Sequence, residues 1–132
     1  MATHVSCELP DDSDSNMSLG FRVPTAISIS SGCSLRATDV LRTHRVERVL
    51  VVTDQGVRST SGFGRFLERL EGHAVDVIVD DGVESNPRVE TAQRLGERAR
   101  AEEFDGVVGI GGGSVLDAAK AGAMLATNPG PV

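Results

Sequence analysis

Gly109-Ile110-Gly111-Gly112-Gly113-Ser114-Val115-Leu116-Asp117-Ala118-Ala119-Lys120 joins the end of an apolar run to three consecutive glycines and then to a segment with helical character. Residues 106–110 read as a buried strand and residues 114–127 as a helix that is apolar on nearly every side. Such a helix is built to be covered. Glycines between a strand and a helix admit positive φ and let a ligand approach without a Cβ in the way. The first turn of the helix presents unpaired N–H groups and the positive end of its dipole, which together suit a phosphate or diphosphate. The Ser114 hydroxyl can donate to a phosphate oxygen or cap the helix. Without a ligand, the same residues make a plain helix-capping turn.

Working back from the glycines, the chain alternates. Residues 48–53 form a continuous apolar run suited to a strand buried on both faces, and it is broken by Asp54, Gln55 and Gly56. Phe63, Phe66, Leu67 and Leu70 have helical spacing, and residues 75–79 read as a further strand. Residues 87–102 read as an amphipathic helix opened by Pro87, with Val89, Ala92, Leu95 and Ala99 inward and Arg88, Glu90, Arg94, Glu97 and Arg98 outward. Residues 35–43 suit a short helix, and residues 25–30 alternate like a strand. Strands and helices in turn, with short connections, predict an α/β fold: a Rossmann-like, mainly parallel sheet flanked by helices. Residues 1–20 are acidic and polar and read as a disordered leader, leaving residues 21–132 as the α/β domain.

Bulk composition narrows the partners. With a net charge of −6 and pI near 5.0, the chain has no basic stripe for nucleic acid. Its aromatics are four Phe, with no Trp or Tyr. No apolar run reaches membrane-spanning length, and no positive charge precedes Arg22 as a secretory leader would require. Cys7 and Cys33 lack metal-type spacing and suit a reducing cytoplasm, with Cys33 read as a packed turn residue. His4, His44 and His73 are scattered and show no ligand spacing, so no metal site is expected within these residues.

The glycine motif is neither a P-loop, whose Gly-x-x-x-x-Gly-Lys spacing is absent, nor the usual dinucleotide fingerprint after a first strand. Gly111-Gly112-Gly113-Ser114-x-x-Asp117-x-x-Lys120 instead resembles the nucleotide-binding signature of the iron-containing (group III) alcohol dehydrogenases. Phe21-Arg22-Val23-Pro24-Thr25, the Val-Val-Thr-Asp ending at Asp54, Ser85-Asn86-Pro87 and Asn128-Pro129-Gly130 resemble family landmarks in the same order, over residues 21–132. Two departures stand out: Arg88 where the family has Thr, and Cys33 in a turn that often carries Gly.

The resemblance implies that Gly111, Gly112, Gly113 and Ser114 bind the diphosphate of a nicotinamide dinucleotide. It implies that Asp54 holds the adenosine ribose, Asn86 lines the cleft and Asp117 lies near the nicotinamide ribose. An acid at the end of a buried strand disfavours a 2′-phosphate, so NAD is expected ahead of NADP. As bare residues, Asp54 can equally form a turn, Asn86 cap a helix and Asp117 complement the helix dipole. Lys120 is assigned no role beyond packing or ion pairing. The family also implies hydride transfer between a small alcohol and an aldehyde or ketone. Fe²⁺ or Zn²⁺ would be held by a helical domain beyond these residues, and so no catalytic residue is expected here. These 132 residues are therefore read as the nucleotide-binding part of such an enzyme, inactive alone, with self-association left open. A sister polyol or glycerol-1-phosphate dehydrogenase and a non-catalytic nucleotide- or phosphate-binding module are the alternatives.

Overall fold

The computed structural model describes residues 25–128 and Gly130, apart from Ala74; the acidic leader and residues 21–24 of the expected entry strand lie outside the described residues. Three parallel strands, β1 (Arg48–Val52), β2 (Asp76–Asp80) and β3 (Gly106–Gly109), form a sheet in the order β2-β1-β3. Helices α1 (Ala37–Thr43), α2 (Gln55–Arg58), α3 (Ser61–Glu71), α4 (Val89–Ala101) and α5 (Gly113–Thr127) complete the element order, with a short 3-10 turn at Cys33–Arg36 ahead of α1.

The central strand explains the architecture. Side chains alternate across a strand, and every residue from Val49 to Val52 is apolar and almost wholly buried. Leu50 and Val52 pack on one face with Leu95 and Ala99 of α4 and Val115, Ala118 and Ala119 of α5. Val49 and Val51 pack on the other with Leu41 of α1, Phe63, Phe66 and Leu70 of α3, and Val75. Parallel pairing brings the C-terminal ends of all three strands to one edge of the sheet. The residues that follow them, from Asp54, Asp81 and Ile110 onward, therefore gather there.

Several expectations need correction. Residues 25–30 form no strand; Ile27 and Ile29 are 79% and 92% exposed. A strand needs a neighbour to receive its backbone hydrogen bonds, and none among the described residues pairs with this segment. The α4 helix starts at Val89 rather than Pro87, because Asn86 is left-handed (φ 54°) and Arg88 is extended. Its buried face is Thr91, Leu95, Gly96 and Ala99, while Val89 turns outward. Close approach to α5 sets this rotation, with Gly96 against Gly122 and Leu125. Arg94 and Arg98, expected to point outward, fold back onto Asp80. Finally, α5 is covered along one side only, since Leu116 and Met124 are 41% and 66% exposed.

Candidate functional site

Asp54, Val83, Glu84, Ser85, Gly112, Gly113, Ser114 and Val115 line a cleft of about 350 Å³ at the C-terminal edge of the sheet. Asp54 follows β1, the stretch from Val83 to Ser85 follows β2, and the glycine turn follows β3. Four of the residues singled out in the sequence, Asp54, Gly112, Gly113 and Ser114, thus meet in one depression. Asn86 stands beside it, its N–H 3.3 Å from the Ser114 hydroxyl oxygen. Since that oxygen accepts, the hydroxyl hydrogen remains free to donate to a ligand.

The three glycines differ in role, and none has a positive φ, contrary to the conformational reading of the motif. At Gly112 and Gly113 nothing stands within 4 Å of where a Cβ would be, so the backbone there is open to the cleft. A Cβ at Gly111 would lie 2.6 Å from Cγ2 of Val115. Gly111 therefore serves the close packing of turn against helix and is not part of the cleft lining. Gly112 is the N-cap of α5 and supplies no side-chain cap, which leaves the first turn of that helix facing the cleft with its backbone donors.

Asp54 also caps α2, Oδ1 accepting from the Val57 N–H at 2.9 Å. The two readings of this residue, turn former and ligand acceptor, are compatible, because Oδ2 is not used by the cap. Asp117 is placed elsewhere. It is highly exposed, 3.8 Å from Lys120 Nζ, on the rim of a neighbouring apolar groove of about 360 Å³ between α4 and α5. Lys120, one turn on and beside Asp117, also borders a separate shallow cavity with Val107 and Ala123.

Residues not singled out from the sequence line or brace the cleft: Glu84 lines it, while Thr53 and Asp80 stand behind it. Thr53 is fully buried, and its hydroxyl donates to the Ile110 carbonyl at 2.8 Å, tying the end of β1 to the start of the glycine turn. A hydroxyl at the end of an apolar run was the available signal, since a buried polar group needs a partner. Glu84 takes the N–H of Arg88 at 3.1 Å and the Thr91 hydroxyl at 2.7 Å, and so caps α4 from outside the helix. The Thr91 hydroxyl foremost, then the backbone N–H groups of Glu84 and Arg88, hold the Glu84 carboxyl below its ordinary range. Burial pushes the Asp80 carboxyl up, but hydrogen bonds from Arg94, the Gly82 N–H and Arg98 outweigh it and leave Asp80 below its ordinary value. Among the described residues no three His, Cys, Asp or Glu side chains form a group that could hold a metal ion, and no helix is long and apolar enough to cross a membrane.

Comparison with known proteins places this geometry in context. The model of the iron-containing alcohol dehydrogenase family matches residues 24–132. The chain is 33% identical over 112 residues to alcohol dehydrogenase 4 of Schizosaccharomyces pombe, covering 85% of this chain and 26% of that protein. It is 31% identical over 112 residues to choline dehydrogenase of Bacillus subtilis, covering 85% of this chain and 28% of the relative. The crystal structure of NADH-dependent butanol dehydrogenase A from Thermotoga maritima superimposes with a TM-score of 0.79 at 27% identity, over 86% of this chain and 29% of that one. The chain thus spans between a quarter and a third of the length of these relatives.

Proposed function

The chain belongs to the iron-containing alcohol dehydrogenase family, and on that footing we propose that it is the portion of a metal-dependent alcohol dehydrogenase that binds a nicotinamide dinucleotide, NAD ahead of NADP. The observation that supports this reading is the single cleft shared by Asp54 and the open backbone of Gly112 and Gly113. The N–H groups at the start of α5 and the Ser114 hydroxyl would take the diphosphate. The free oxygen of Asp54 would accept from ribose hydroxyls and repel a 2′-phosphate. Asn86 would act through Ser114, which its N–H holds in place. Asp117, on the rim of the adjoining groove, is the acceptor available to the part of the dinucleotide that extends past the turn.

When bound, the nicotinamide supplies a hydride acceptor, and this chain's contribution is to orient it. Hydride transfer between an alcohol and an aldehyde or ketone is the reaction that orientation would serve. Fe²⁺ or Zn²⁺ does not fit the described residues, which offer no converging ligand set, and no step is assigned through it. These 132 residues would bind the dinucleotide without turning it over.

Titration of the chain with NADH, NADPH and ADP, followed by fluorescence or calorimetry, tests the reading. NADH should bind saturably and more tightly than NADPH. Both Asp54→Ala and Gly113→Val should weaken it, the first by losing the ribose acceptor and the second by placing a branched side chain over the turn. Binding of inorganic phosphate with no preference for NADH would overturn the assignment in favour of a generic anion module.

A further inference from the structure

We propose that Asp80, gripped by Arg94 and Arg98, is a positioning residue for the cleft. It fixes the wall formed by Val83, Glu84 and Ser85 at the place the dinucleotide needs. The inference rests on the nucleotide-binding reading of that cleft.

Asp80 is the last residue of β2 and only 5% exposed. Its Oδ1 accepts from the Gly82 N–H at 3.1 Å and from Arg94 Nη2 at 3.1 Å. Its Oδ2 accepts from Arg94 Nη1 and, at 3.0 Å, from Arg98 Nη1. Two guanidiniums one helical turn apart thus converge on one buried carboxylate. Arg98 is held in turn by Glu102, Nε to Oε1 at 2.9 Å. The Arg94 guanidinium lies close under the loop, since a Cβ at Gly82 would stand 3.2 Å from its Nη2.

The location makes this more than a stabilising cluster. Where the chain leaves β2, the Thr53 N–H donates to the Asp80 carbonyl at 2.8 Å, and a single antiparallel bridge joins Gly82 to Asp54. The next residues, Val83 to Ser85, line the cleft, and Asn86 then reaches Ser114. The wall is therefore pinned at both ends, to Asp80 at Gly82 and to the glycine helix at Asn86. Of these two anchors only the Asp80 end is charged. The Arg58–Asp81 pair on the outside of the same loop, 3.3 Å apart, is partly exposed and screened by solvent. Asp80 is buried while Arg94 and Arg98 are partly exposed, so a change at either end removes charge-assisted hydrogen bonds that hold the buried carboxylate in place. The loop would then move, and the cleft would change width without a change in any ligand-contacting residue.

The test combines NADH affinity with backbone hydrogen exchange in the intact chain, both measured well below the melting temperature. Asp80→Asn keeps the shape but loses the charge, and Arg94→Met keeps an unbranched stem but loses the fork. Each should weaken NADH binding by about ten-fold or more, as displacement of a binding wall does, and speed exchange from Gly82 to Asn86. Arg100→Gln breaks bonds to the Leu125 and Ala126 carbonyls at the far end of α4. It should lower the melting temperature and leave the Kd unchanged. If Asp80→Asn does not fold, Arg94→Met decides, because its guanidinium is half-exposed and its loss is tolerable. Wild-type affinity in Arg94→Met would overturn the proposal while the nucleotide reading stands. Failure of the wild-type chain to bind NADH would instead overturn that reading, and this inference with it.

Discussion

At Gly111 a Cβ would meet Val115 Cγ2 at 2.6 Å and its Cβ at 2.8 Å, whereas at Gly113, two residues on, it would meet nothing within 4 Å. Neither position has a positive φ, so alanine is admitted by the backbone at both, and only packing separates them. Gly111→Ala should cost about 1–3 kcal/mol of stability, the usual penalty for overpacking. Gly113→Ala should leave stability unchanged or raise it by roughly 0.4–1 kcal/mol, through the smaller entropy of the unfolded chain. Urea unfolding of both variants checks this, and equal losses would refute the division of labour. In the sequence the three glycines look alike. The cleft-forming role of Gly112 and Gly113 was legible because a glycine run between a strand and a helix points to open backbone. The different duties of the three glycines were not, because these depend on which way Val115 turns once α5 is docked. Asp54 and Ser114 were legible from their places after a strand and at a helix start. Thr53 was not, since its partner Ile110 lies 57 residues away. Glu84 reads as loop filler until Thr91, seven residues on, turns toward it.

The α4–α5 pair shows the same dependence at the level of elements. Gly96 and Gly122 let the two helices approach so closely that a Cβ at Gly122 would lie 2.8 Å from Leu95 Cβ, and one at Gly96 would lie 2.7 Å from Leu125 Cβ. Gly122→Ala should therefore lower the melting temperature, with a loss of about 1–3 kcal/mol from forced separation of the helices. Gly64→Ala in α3, where nothing stands within 4 Å, should raise it by roughly 0.5–1 kcal/mol, the ordinary gain for alanine inside a helix. Calorimetric scans of the two variants should move in opposite directions, and a gain for Gly122→Ala would disprove the tight crossing. Elements with strong internal signals, such as the apolar run of β1 and the Phe63, Phe66, Leu70 spacing of α3, were legible because their burial follows from their own pattern. The inward face of α4 was not, because the glycine contact with α5 sets its rotation and places Thr91 where Val89 was expected. Residues 25–30 alternate like a strand yet pair with no strand among the described residues, since alternation states a preference and a strand also requires a neighbour.

Acid should act on the whole molecule through the same loop that forms the cleft wall. Asp80 and Glu84 both titrate below their ordinary values in the folded chain, so the native state binds fewer protons than the unfolded one as pH falls. Stability then rises with pH wherever the unfolded state is the more protonated. The contribution is complete above the unfolded carboxylate range, near pH 4, and is lost as pH falls through the lower folded values. Glu84 is exposed, and solvent weakens its share; the buried Asp80 should dominate. Net charge is −6 at neutral pH, and protonation of the acids makes the molecule cationic. Guanidinium groups such as those of Arg94 and Arg98 then lose the carboxylate that separates them. The free energy of urea unfolding should accordingly stay nearly level from pH 7 to about 5 and fall steeply below about 4. Asp80→Asn should start lower and fall less over the acid limb, because it has already lost the titrating group. A loss centred near pH 6, or an acid limb of unchanged slope in Asp80→Asn, would show that the Asp80 cluster does not control the acid stability of the fold.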